Sequence, residues 1–245
     1  MIEVEGLCKR YGEFTAVDGL SFQVAAGQIM GLVGPNGAGK TTTLRCLAGI
    51  IPASLGQVRI GGMDIATDPV AAKRQLAFIP DEPRLFEHLT VEQHLNFVAR
   101  LYAVADWRER GTALLDELEM ADKRQLLPSE LSRGMKQKLA IACGLLHAPR
   151  AVILDEPLTG LDPYGIRRMK NSMRRLAADG VAIILSSHLL DLVEEVCTHL
   201  LILKEGRKLA DGSVAEVRAH YAADGDASLE DVFFRATGEA EDLRA

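Results

Sequence analysis

With 245 residues, 48% of them hydrophobic, the chain is long enough for one large domain or a core with an inserted subdomain, burying about 70–75% of its unfolded surface. Lys and Arg number 28 against 34 Asp and Glu, a net charge of −6, which argues against a nucleic-acid partner or an anionic membrane surface. Four scattered cysteines without a Cys-x-x-Cys pair argue against zinc or redox work and suit a reducing compartment.

In chain order, Met1 to Glu5 alternates acidic and apolar residues where a signal peptide would be basic and then apolar. No signal peptide is predicted, and the mature chain is expected to begin there. Residues 1–30 read as short β-segments broken by Gly6, Gly12, Gly19 and Gly27. The apolar strand Ile29 to Val33 runs into Gly34-Pro35-Asn36-Gly37-Ala38-Gly39-Lys40-Thr41, and a helix carrying Leu44, Leu47 and Ala48 follows. This is a complete Gly-x-x-x-x-Gly-Lys-Thr loop between strand and helix. Its glycines let backbone N–H groups and the helix start approach a polyphosphate, Lys40 adds a cation for the terminal phosphates, and the Thr41 hydroxyl can ligate Mg²⁺. A nucleoside triphosphate is the expected ligand.

Further strands are predicted at Gln57 to Ile60, Leu76 to Ile79, Ala151 to Leu154, Val181 to Leu185 and Leu200 to Leu203. Several are continuous apolar runs alternating with helical patterns, which predicts a parallel sheet covered by helices. Between Pro83 and Pro149 the pattern is helical only, with capping signals at Thr90-x-x-Gln93 and Asp106-x-x-Glu109, as in a helical insert. Beyond Asp211-Gly212 a short tail carries another, Ser228-x-x-Asp231. No apolar stretch approaches the roughly 18 residues needed to cross a bilayer, so membrane contact is expected only through a partner.

Ala151-Val-Ile-Leu-Asp155-Glu156-Pro157 places two carboxylates at the carboxyl end of a buried strand, the ligand edge of open α/β sheets. Asp155 can hold Mg²⁺, directly or through water, while Glu156 can polarise a water for attack on the γ-phosphate. Ser132, in Leu131-Ser132-Arg133-Gly134-Met135, reads as the N-cap of a helical run. A capped helix start beside Gly134 also suits a phosphate, so both readings stand.

With this motif upstream of the Asp155 strand, the chain resembles the nucleotide-binding domain of ATP-binding cassette (ABC) proteins, and the order of elements matches from residue 1 to about 210. The resemblance implies an α/β fold: a RecA-like P-loop NTPase core with a parallel sheet (1–84 plus 150–212), an N-terminal antiparallel β-subdomain within it, and an inserted α-helical subdomain (85–149), with a tail at 213–245. It implies an ATPase using ATP and Mg²⁺, in which two cassettes sandwich two ATP molecules and Ser132, Arg133, Gly134 and Met135 of one copy cover the nucleotide of the other.

By the same resemblance, Tyr11 stacks on adenine, although an exposed strand aromatic is the plainer reading. Val17 and Thr42 join the nucleotide contacts, and His188 in Leu185-Ser-Ser-His188 reaches the γ-phosphate. Asp162 in Thr159-Gly-Leu-Asp162-Pro163 links the two active sites, caps a helix, or both. Asp81 stands where many members carry glutamine; it could reach Mg²⁺ but cannot donate a hydrogen bond. Leu85, Phe86, Leu89 and Thr90 fall where members meet a membrane subunit, with packing of the helical insert as the alternative.

Arg133 and Met135 depart from the usual Leu-Ser-Gly-Gly-Gln and, with the tail Ser228 to Arg235, resemble exporter cassettes for drugs, antibiotics or lipids. The implied setting is a homodimer or heterodimer of cassettes with separately encoded transmembrane permeases, peripheral on the cytoplasmic face of the membrane, with no nucleic acid. The competing readings are a soluble cassette acting on ribosomes or DNA, against which stands the single phosphate loop, and a small-molecule kinase, which leaves the Leu131 to Met135 motif unexplained. The basic stretch Arg167, Arg168, Lys170, Arg174 and Arg175 is expected to be a solvated helix face. His88, His94, His147, His199 and His220 show no metal-ligand spacing.

Overall fold

The computed structural model describes residues 1–221 and 228–238. Strands β1 (Ile2–Tyr11) and β2 (Phe14–Val24) form an antiparallel pair; β3 (Ile29–Val33) then leads through the phosphate loop into α1 (Lys40–Leu47). Next come β4 (Leu55–Ile60), the short β5 (Met63–Asp64), α2 (Pro69–Arg74) and β6 (Leu76–Ile79). A helical stretch follows with α3 (Val91–Tyr102), α4 (Trp107–Glu117) and α5 (Arg133–Leu145). The chain then alternates again through β7 (Ala151–Asp155), α6 (Pro163–Ala178), β8 (Ala182–Ser186), α7 (Leu190–Val196), β9 (His199–Lys204) and β10 (Arg207–Ser213), and closes with α8 (Val214–Tyr221) and α9 (Leu229–Thr237). Parts of the expected 213–245 tail, residues 222–227 and 239–245, lie outside the described residues.

Two sheets result. One is antiparallel in the order β2-β1-β4-β5; the other runs β10-β9-β3-β8-β7-β6, parallel except where β10 pairs antiparallel with β9. The central strands β3, β7 and β8 are buried at every residue, which is why they read as unbroken apolar runs. Alternate residues serve opposite layers, as strand pleating requires. Val152, Leu154, Ile183 and Leu185 pack with Leu95, Leu115, Leu139 and Met173 of the helices, while Ala151, Ile153, Ala182 and Ile184 pack with Leu7, Leu20 and Leu44 of the antiparallel sheet and α1. Each large aliphatic side chain buried this way contributes about 1.5–3 kcal/mol before the entropy of ordering it.

The capping signals divide. Thr90 and Gln93 form the full reciprocal box at the start of α3, and Ser228 with Asp231 does so for α9. Asp106 precedes α4 but makes no side-chain cap: at φ −93°, ψ 22° its backbone lies outside the extended region from which a cap side chain reaches the third N–H. The basic face of α6 is not merely solvated either. Arg168 pairs with Glu119, Arg175 with Glu117, and Lys170 and Arg174 both with Glu195 of α7.

Candidate active site

The phosphate loop is held in shape by the backbone around it. Gly39 has φ +96°, and a Cβ there would lie 2.5 Å from the Ala16 carbonyl oxygen, so this turn excludes any other residue. Gly39 also stands at the N-cap of α1 and supplies no side-chain cap, which leaves the first-turn N–H groups of Lys40, Thr41 and Thr42 for an anionic ligand. Lys40 Nζ folds back to donate to the carbonyls of Gly34 (2.5 Å) and Pro35 (3.1 Å). Burial pulls its ammonium below the ordinary lysine range, opposed by Glu156 and Asp155.

A cavity of about 390 Å³ covers this loop, lined by Phe14, Ala16, residues 36–42, Asp155 and Glu156. Asp155, at the end of β7 and nearly buried, accepts from Ser186 Oγ at 2.7 Å and faces Thr41 Oγ1 at 3.5 Å. Two oxygen donors so placed suit a hard cation. Glu156 follows with φ +49°, a left-handed turn that breaks the strand. His188 Nδ1 lies 2.9 Å from Glu156 Oε2, and burial raises the Glu156 carboxyl above its usual range, partly countered by His188 and Lys40. The loop and both carboxylates line one cavity, and His188 is hydrogen-bonded to Glu156 at its edge.

Ser132 caps α5, its Oγ accepting from the Met135 N–H at 3.2 Å. Gly134 is required by a close approach: a Cβ there would sit 2.7 Å from the Gly160 carbonyl oxygen. Asp162 caps α6 by accepting from the Gly165 N–H at 2.6 Å.

A family model for ABC transporters matches residues 17–159, more than half of the chain. The chain belongs to the ABC transporter family. Over 241 residues the cassette is 34% identical to the ABC-type transporter ATP-binding protein EcsA of Bacillus subtilis, covering 98% of this chain and 97% of that protein. It is 38% identical to the Nod factor export ATP-binding protein I of Ralstonia nicotianae over 90% of this chain and 69% of that one. Among solved structures, an ATP-binding subunit of an ABC transporter superposes with a TM-score of 0.92 at 35% identity, covering 96% of this chain and 99% of that chain. The cassette is accordingly an ATPase, with the fold of its family.

Asp81, Val17 and Tyr11, all assigned to the site, do not line the nucleotide cavity. Asp81 Oδ1 pairs with Arg133 at 3.1 Å, so two of the three departures from the family pattern are bonded to each other. Val17 is fully buried and packs beneath the loop, whereas Ala16 and Phe14 line it. Tyr11 is half-exposed with Lys9 5.0 Å over its ring, and it pairs across the strands with the more exposed Phe14. Sequence reading missed Phe14, although a second aromatic flanking Gly12 was a visible signal. It also passed over Ser186, hidden beside the more conspicuous His188.

Proposed function

We propose that this cassette powers export: ATP draws two copies together, the closed pair moves attached transmembrane subunits, and hydrolysis at Glu156 lets the pair reopen. The observation that carries the reading is Glu156 held by His188 at 2.9 Å beside the phosphate loop. Glu156 accepts the proton of the attacking water, and burial, by raising its carboxyl above the usual range, makes it the stronger base. His188 orients that carboxylate. Lys40 exchanges its loop carbonyls for the terminal phosphates. Thr41 and Asp155 would hold Mg²⁺, which supplies charge neutralisation on the phosphates. Asp81 is left out of this set because it does not line the cavity and its Oδ1 pairs with Arg133.

Ser132 and Gly134 of the opposite copy would complete each site, with Asp162 next to them in the loop between the copies. Closure then follows from contacts that only the nucleotide-bound pair makes. Relatives named for Nod factor export and for linearmycin and daunorubicin resistance support the export direction. The parts are best divided as a core (1–84 plus 150–212), a helical subdomain (85–149) and a tail (213–245). Between core and helical subdomain, a groove of about 670 Å³ is lined by Ile50, Leu85, Phe86, Phe97, Leu101 and Tyr102, several of them exposed. An apolar groove of this kind suits a helix of the membrane subunit, which would hold the cassette on the cytoplasmic face. Among the described residues no helix is long and apolar enough to cross a membrane.

In purified protein, Glu156→Gln should keep ATP affinity, accumulate an ATP-dependent dimer in sedimentation runs, and lose about 10²- to 10⁴-fold in turnover. Wild-type turnover would remove Glu156 from its role. A variant that stays monomeric with ATP would remove the paired-cassette reading.

A further inference from the structure

One buried hydroxyl is bonded to both members of the carboxylate pair. Ser186 ends β8 directly across from Asp155 of β7 and is wholly buried. Its Oγ–H donates to Asp155 Oδ1 at 2.7 Å, and the same oxygen accepts from the Glu156 N–H at 3.1 Å. The Ser186 carbonyl oxygen shares that N–H at 3.3 Å. Glu156 sits at φ +49°, a conformation that a non-glycine residue keeps only when its surroundings hold it there. The neighbouring Ser187 does something different: its Oγ accepts from the Leu189 N–H at 3.0 Å and shapes the approach to α7.

We propose that Ser186 is a positioning residue for ATP hydrolysis, its hydroxyl orienting the Asp155 carboxylate while pinning Glu156 in the left-handed turn that aims its side chain over the phosphate loop. This rests on the roles given above to Asp155 and Glu156. A hydroxyl can donate and accept at once, which neither a methyl group nor a weakly bonding thiol reproduces. Without it, among the described residues, Asp155 Oδ1 retains only the long contact to Thr41 and the Glu156 N–H retains only the Ser186 carbonyl. The strand pairing of β8 survives, so the pocket should persist while its two carboxylates lose their aim.

Ser186→Ala, Ser186→Cys and Glu156→Gln can be compared with the intact protein for kcat, for KM, and for binding of a fluorescent ATP analogue with magnesium and with EDTA. Both serine variants should lower kcat about tenfold or more while the affinity in EDTA stays within about twofold, and magnesium should strengthen analogue binding, and lower KM, less than in wild type. Cysteine fills nearly the same space, so it decides the matter if the alanine variant fails to fold. A kcat within about twofold of wild type overturns the proposal, as does a loss of affinity in EDTA equal to the loss of kcat, which would mark a collapsed pocket. If Glu156→Gln itself turns over normally, the assignment of the base fails whatever Ser186 does.

Discussion

The phosphate loop and the Ser132 turn each open a helix, yet they are built differently. The loop is clamped from several sides: Gly39 is pressed against Ala16, Lys40 reaches back to Gly34 and Pro35, and Asp155 lies opposite Thr41. The Ser132 turn is exposed and rests on the core through the Gly134 to Gly160 approach and the partly exposed Asp81–Arg133 pair. The phosphate loop is thus finished within a single chain. The Ser132 turn is a surface feature beside the buried Leu131, and under the proposed function it is the part that meets a second copy.

Breaking the loop should do most. Lys40→Ala removes a charge-assisted contact of about 1.5–3 kcal/mol, so ATP affinity of the single chain should fall by one to two orders of magnitude in a direct binding titration. Unchanged affinity would mean that the two regions do not divide as described. Gly134→Ala comes next. The 2.7 Å approach must open, at a cost of about 1–3 kcal/mol read in a melting curve, and turnover should drop while ATP affinity of the single chain stays within about twofold. Equal losses in binding and turnover would erase the distinction between the two regions. The smallest effect belongs to the Asp81–Arg133 pair. A double-mutant cycle with Asp81→Asn and Arg133→Gln, read by urea denaturation, should give a coupling of about 0.2–1 kcal/mol at low salt that vanishes near 1 M.

The same contrast governs what could be read from residues alone. Leu76 to Ile79 was bounded correctly because burial on both faces writes a continuous apolar run. Strand β10 was not seen: Arg207 to Ser213 is a largely exposed edge strand whose polar sequence carries no such run. The loop motif is local, so its chemistry was legible at once. The Asp81–Arg133 pair joins residues 52 positions apart, and the acidic partners of the α6 arginines, Glu117, Glu119 and Glu195, lie on other elements. Contacts of that kind arise only when the chain folds. Asp106 teaches the complementary lesson, since a correct residue type without the extended backbone makes no cap. Asp162 did cap its helix, the plainer of the two readings open to it.

The hairpin between β9 and β10 adds one further consequence. The Gly206 N–H donates to the Ala38 carbonyl at 3.1 Å, and the Asp18 N–H donates to the Gly206 carbonyl at 2.9 Å, so this turn stitches the phosphate loop to the antiparallel sheet. The loop's freedom is therefore surrendered during folding. An arriving nucleotide meets a rigid mould, and little of its binding free energy is consumed in ordering the backbone that receives it.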